Sequence, residues 1–235
     1  MRARYMKWTF RNDYVYEEDL AKLDYAFFPL HAEPEMQINV YNRRYLNQIE
    51  AVRSVAGNLP VGMKLLVKEH PWTVGRRPMS YYRKLQTIPN VRLVSPAVGS
   101  RLLIIHARLM AMISGSIALE AAILGKPVVT LGRALFNVLP SKMICSMPPA
   151  EELGQRIQEL LRDYHYDESA LVRYFAILMQ QSVSVDWYSR MLRRPESAPD
   201  VSGDFEVSKR REQIANVAHY LMRRADELYG KERAN

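Results

Sequence analysis

Between residues 24 and 131, short uninterrupted apolar runs alternate with stretches of helical spacing, and this alternation confines the chain to few folds. Residues 24–30 (DYAFFPL), 63–68 (MKLLVK), 91–94, 109–113 and 128–131 read as strands. Between them, residues 41–59 place Tyr45, Ile49, Val52 and Val55 at helical spacing, with Gly57 and Pro60 closing the segment. Residues 80–86, 100–107 and 117–124 read as shorter helices, the last stopped by Gly125. The strand runs are continuous rather than alternating, as expected where both faces of a strand are buried. The pattern predicts an α/β fold: right-handed βαβ units forming a mainly parallel sheet with helices on both faces.

After Pro148-Pro149 the pattern changes. Residues 150–163 form a strong amphipathic helix with Leu153, Ile157, Leu160 and Leu161 on one face, and a second helix is predicted over 168–181. Residues 193–203 are polar and read as a linker; residues 208–229 read as a final helix with Ile214, Val217, Leu221 and Leu228 on its apolar face. The predicted organisation is a linker or helix over 1–23, a Rossmann-like α/β domain over 24–182, and a linker and helix over 183–235.

Composition removes several classes. At 48% apolar and 25% charged residues, a chain of 235 residues can bury a substantial core, which excludes wholesale disorder. Cys145 is the single cysteine, so neither an internal disulfide nor a cysteine-rich zinc site is available. The first thirty residues are charged throughout and lack the apolar run of a signal peptide. The longest apolar stretch, 110–124, is interrupted by Ser114, Gly115, Ser116 and Glu120. It falls short of the roughly 18 residues a membrane span needs. A cytoplasmic location is the expectation.

The net charge of +8 is unevenly placed. Residues 25–150 carry fifteen basic and five acidic side chains, whereas residues 151–235 carry thirteen and fifteen. A positive middle attracts anions such as nucleotides and phosphosugars, though a solvated basic surface would show the same excess.

Ligands of parallel α/β sheets bind at the carboxyl ends of the strands, so residues just after each strand matter most. Three places there carry chemistry. The first, PLHAEPE, brings His31, Glu33 and Glu35 together after the first strand. It suits acid–base work or a substrate clamp, and equally a capping loop with solvated carboxylates. The second is Lys68-Glu69-His70-Pro71. Pro71 forces His70 into an extended conformation at the strand end, where an imidazole can donate to a phosphate. Lys68, Arg76 and Arg77 add positive charge; a hydrogen-bonded turn histidine is the plainer alternative. The third is Ser114-Gly115-Ser116 with Glu120 one turn into the following helix. Backbone N–H groups and the helix dipole favour an anion there, and Glu120 is placed to accept from sugar hydroxyls; an ordinary helix cap is the alternative. Neither GxGxxG nor GxxxxGK[ST] is present, so standard dinucleotide and P-loop assignments fail. No metal-ligand spacing is seen, and no metal or cofactor is expected.

The ordered set FFPLHAEPE, LPVGMKLLVKEHP, IPNVRLVSP and MISGSIALEAAILGKPVVTLG resembles the bacterial capsule polysaccharide biosynthesis family, which includes the Kdo transferases of capsule assembly. It is similar, more distantly, to bacterial sialyl- and polysialyltransferases. The resemblance covers about residues 24–145. It implies the Rossmann-like, C-terminal donor-binding half of a GT-B glycosyltransferase. His70 and Pro71 then match the family's donor-phosphate dipeptide, with His70, Glu33 and Glu35 as catalytic candidates. His31, Lys68, Pro71, Ser114, Gly115, Ser116 and Glu120 match as nucleotide-binding candidates.

The implied partners are a nucleotide sugar, CMP-activated and acidic by this resemblance, and a glycan or glycolipid acceptor. An N-terminal domain or second chain completing the enzyme, and peripheral contact with the inner membrane, are implied in the same way. Two other functions fit the pattern: a sugar-nucleotide epimerase, and a non-catalytic module of capsule assembly or export. A nucleic-acid partner is not expected, since RNP-like aromatics and a helix-turn-helix signal are missing.

Overall fold

The computed structural model describes residues 10–183 and 204–229. Seven strands build one sheet: β1 Tyr14–Val15, β2 Tyr25–Pro29, β3 Lys64–Lys68, β4 Val91–Val94, β5 Leu109–Met112, β6 Val128–Thr130 and β7 Ile144–Ser146. Their spatial order is β1-β4-β3-β2-β5-β6-β7, and every pairing is parallel. Six helices accompany the sheet: α1 Gln48–Gly57, α2 Met79–Gln86, α3 Ser100–His106, α4 Ser116–Ile123, α5 Leu153–Asp163 and α6 Glu168–Gln180. The last helix is α7 Asp204–Tyr229.

From β2 to β7 the chain follows the doubly wound Rossmann order. It starts at the centre, builds outward through β3 and β4, then crosses back to β5 beside β2. The parallel α/β class and the helices on both faces therefore hold as read from the sequence. The order reverses between β2 and β5, which makes the loops after these two strands the topological switch point at the sheet's carboxyl edge.

Alternation within each strand feeds two cores. Ala26, Phe28, Leu65, Val67, Leu109 and Ala111 pack in one cluster with α1, α2 and α5 through Val52, Val55, Tyr82, Leu85, Leu153 and Ile157. The intervening residues Tyr25, Phe27, Leu66 and Met110 are also fully buried, as are Leu103 and Ile104 of α3 and Ala118 and Ala121 of α4. The Tyr25 hydroxyl donates to the Leu103 carbonyl at 2.8 Å, tying β2 to α3. Burying a side chain of this size contributes about 1.5–3 kcal/mol, which is why strands without a polar face persist here.

The structure corrects some boundaries. The helix expected over 41–59 begins only at Gln48; before it the chain makes a π-helical turn, Gln37–Tyr41, and a 3-10 turn, Arg43–Tyr45. The cause is Asn42, a buried residue whose side chain accepts the Arg133 N–H at 2.7 Å and donates to the Gln37 carbonyl at 2.9 Å. Those bonds divert the backbone from a regular helix. Two strands were not anticipated: β1, within the segment read as a linker, pairs with β4, and β7 pairs with β6. The final helix starts at Asp204, earlier than expected, and the whole of the linker read at 193–203 lies outside the described residues, as does all of 1–9. The chain divides into two compact units, residues 1–172 and 173–235.

Candidate functional site

The three strand-end motifs fall on β2, β3 and β5, three neighbours at the centre of the sheet. His31 follows β2 and is 6% exposed, with both ring nitrogens engaged. The Ser114 N–H donates to its Nε2 at 3.2 Å. With Nε2 an acceptor, the ring proton sits on Nδ1, which donates to Glu35. The backbone of His31 is held as well. Its N–H donates to Gln48 Oε1 at 2.8 Å, and its carbonyl accepts from Arg77 at 2.8 Å. His31 thus joins the loop after β2 to the loop after β5, across the point where strand order reverses. Glu33 accepts from Gln48 and, at 3.0 Å, from Arg77.

At the end of β3, His70 caps a 3-10 turn, Pro71–Thr73, with Pro71 in its first position. The His70 Nδ1 accepts the Trp72 N–H at 3.3 Å, so the ring proton is carried on Nε2. Burial lowers the His70 pKa, opposed by the charges of Glu35 and Glu69 and reinforced by His31 and Arg77. These four groups are the charged and titratable surroundings of the ring. The neutral, donating form is therefore favoured at neutral pH. Trp72 stands edge-on to His70 with ring centres 6.1 Å apart, and it is 62% exposed.

Lys68, the last residue of β3, is 5% exposed and donates to Ser100 Oγ at 3.0 Å. Burial lowers its pKa. Ser114 is buried, and its hydroxyl donates to the Arg133 carbonyl at 2.8 Å. Gly115 precedes α4 with φ +131°, a conformation side chains rarely adopt, and an added Cβ would lie 3.0 Å from the Met112 methyl. Ser116 opens α4 at the exposed surface, and Glu120 is half-buried one turn further on.

Sequence reasoning named Glu69 only as part of a motif and Arg77 only as added charge, and missed that the two tie these motifs together. Glu69 accepts from the His70 N–H (2.8 Å), Thr73 Oγ1 (2.6 Å), Tyr82 Oη (2.7 Å) and Arg77 Nη1 (3.2 Å). Arg77 forks between Glu69 on one side and Glu33 and the His31 carbonyl on the other, with its guanidinium over the Tyr81 ring. A glutamate following an apolar strand was the available signal, since a buried carboxylate requires donors. Away from this site, Cys145 lies in β7, half-buried, and burial pushes its thiol pKa up. Among the described residues no group of three or more His, Cys, Asp or Glu side chains is placed to hold a metal ion.

The parallel, Rossmann-ordered sheet thus carries two imidazoles, a lysine and a helix start at the carboxyl ends of its three central strands. The capsule polysaccharide biosynthesis protein family model matches residues 9–139, more than half of the chain, and the chain belongs to that family. A comparison with curated proteins finds no match.

Solved structures give distant likenesses. UDP-GlcNAc 2-epimerase from Methanocaldococcus jannaschii aligns at 17% identity over 75% of this chain and 49% of its own, with a TM-score of 0.47. Spinosyn rhamnosyltransferase SpnG aligns at 18% identity over 67% and 42%, with a TM-score of 0.45. The beta Kdo 2,4 transferase KpsC of Thermosulfurimonas dismutans aligns at 17% identity over 61% and 44%, with a TM-score of 0.41. The chain spans about half the length of the solved structures it matches. Among the described residues no helix is long and apolar enough to cross a membrane.

Proposed function

We propose that this chain is the nucleotide-sugar-binding part of a glycosyltransferase that builds bacterial surface polysaccharide, with a CMP-activated acidic sugar as donor. The observation that carries the reading is His70. With Nδ1 accepting the Trp72 N–H, its Nε2 carries the ring proton at the carboxyl end of β3, within electrostatic reach of the β2 loop that holds His31 and Glu35. Family membership supplies the polysaccharide context.

In this reading His70 donates to the nucleotide phosphate and stabilises the charge that grows on it as the glycosidic bond to phosphate breaks. The positive end of α4 assists, and Lys68 adds positive charge nearby. Glu120 accepts from sugar hydroxyls. Glu35, bonded to the His31 ring, and the more exposed Glu33, held by Arg77, are the two loop carboxylates available to take a proton from an acceptor hydroxyl. The residues described here supply the donor-binding half of a GT-B arrangement.

Calorimetry with CMP, UDP and citrate tests the proposal. CMP is expected to bind better than UDP, citrate worst, and His70→Ala to weaken CMP by about 1.5–3 kcal/mol, the worth of a hydrogen bond to a charged group. Equal binding of all three anions reduces the site to a nonspecific basic patch. Preference for UDP points instead to an epimerase-like enzyme.

A further inference from the structure

Phosphate binding by His70 does not by itself call for a buried ion pair beneath it, yet Glu69 and Arg77 form one, with side chains 3% and 9% exposed. Such a pair is costly to desolvate, and apolar residues of similar volume often serve stability as well or better. What an apolar pair cannot do is direct hydrogen bonds. Glu69 takes the His70 N–H and the Thr73 hydroxyl, which fixes the turn carrying the imidazole. Arg77 reaches from Glu69 to the His31 carbonyl and Glu33, which fixes the loop after β2. His31 in turn receives the Ser114 N–H from the loop after β5. One unbroken chain of bonds therefore runs through all three strand-end motifs.

We propose that Glu69 and Arg77 are positioning residues: their pair clasps the His70 turn to the His31 loop, so that a nucleotide phosphate meets His70 and the Ser114–Ser116 helix start in one fixed arrangement. The inference rests on the donor-binding reading above. Neither residue touches the ligand; each acts through its neighbours. Lys68 and Glu35 keep their own partners, Ser100 and His31, and lie outside the clasp.

The test uses the full chain and two variants. Arg77→Lys keeps the charge and loses the fork. Glu69→Gln with Arg77→Met removes both charges together, leaving no buried ion unpaired. Two properties are read: CMP affinity by calorimetry, and the His70 ring tautomer and titration by nitrogen-15 NMR. Both variants are expected to fold, to bind CMP at least tenfold more weakly, and to show His70 with its proton shared between the two ring nitrogens. Folded variants with wild-type affinity and an unchanged His70 tautomer overturn the proposal.

Native-state amide exchange on the wild-type protein decides the matter should either variant not fold. The His31, His70 and Ser114 amides are expected to share one protection level, whereas protection differing by tenfold or more contradicts a clasp. Failure of the wild-type chain to bind CMP would sink the donor-binding reading, while the ring spectra and exchange data would still judge the clasp.

Discussion

The His70 ring is kept neutral by burial, and this has a consequence for stability as well as for binding. Its folded pKa lies below the ordinary value of 6.5, so the unfolded chain takes up a proton at higher pH than the folded one. The contribution is present above pH 6.5 and is lost as pH falls from there through the lowered folded value. Thermal melts at pH 7.5 and pH 5.5 are expected to show a drop in the wild type that is smaller in His70→Gln. Identical drops would show that another group governs the slope. Lys68 is the companion case. It is buried against one serine hydroxyl, and burial lowers its pKa. Lys68→Met removes a poorly compensated buried amine, so its melting temperature should stay level or rise while CMP affinity falls. A large loss of stability in Lys68→Met would mean that the amine is structurally required.

Elements show where sequence reading succeeds and where it stops. Strands β2 to β6 were legible to within a residue or two at either end, because a strand buried on both faces must be an unbroken apolar run. Strands β1 and β7, of two and three residues, are too short to show any period. The start of α1 was misplaced because Asn42 is buried by a partner 91 residues away, and local spacing holds no trace of Arg133. The site divides in the same way. Its three motifs stand out because each follows a strand, whereas the Arg77 contact to Glu33 joins residues 44 apart and exists only once β2 and β3 are paired.

The Asn42 tether is itself testable. Gly132 lies against it so closely that an added Cβ would sit 2.2 Å from Asn42 Oδ1 and 3.0 Å from the Ile113 carbonyl oxygen. Gly132→Ala is expected to cost about 1–3 kcal/mol through overpacking. The cost should be smaller when introduced into Asn42→Ala, because the clashing side chain is gone. Additive losses in a denaturant-unfolding cycle would disprove the contact.

At the scale of the whole molecule, every site residue named here belongs to the compact unit of residues 1–172. Deleting residues 204–235 should therefore leave CMP affinity nearly unchanged, and a loss beyond threefold would give the last helix a part in the site. The larger prediction separates binding from turnover. Binding an anion needs only what this unit holds: fifteen basic against five acidic residues over 25–150, a donating imidazole, and a helix start at the switch point. Transfer also needs an acceptor hydroxyl held close to the anomeric carbon, with a base aligned to it, and such alignment accounts for a large share of an enzyme's rate. In the proposed reading Glu33 or Glu35 supplies the base, but one sheet edge does not enclose two substrates, and water left there screens the charges that stabilise the transition state. The chain alone is therefore expected to bind CMP weakly, at roughly tens of micromolar to millimolar, about 4–7 kcal/mol. Raised salt should weaken that binding, and sugar transfer should be undetectable. Supplying the acceptor-binding half in trans should restore transfer. Robust transfer by the chain alone, read by release of CMP from a CMP-sugar with an acceptor present, would refute the division of labour. Binding that survives 0.5 M salt undiminished would remove the electrostatic basis proposed for it.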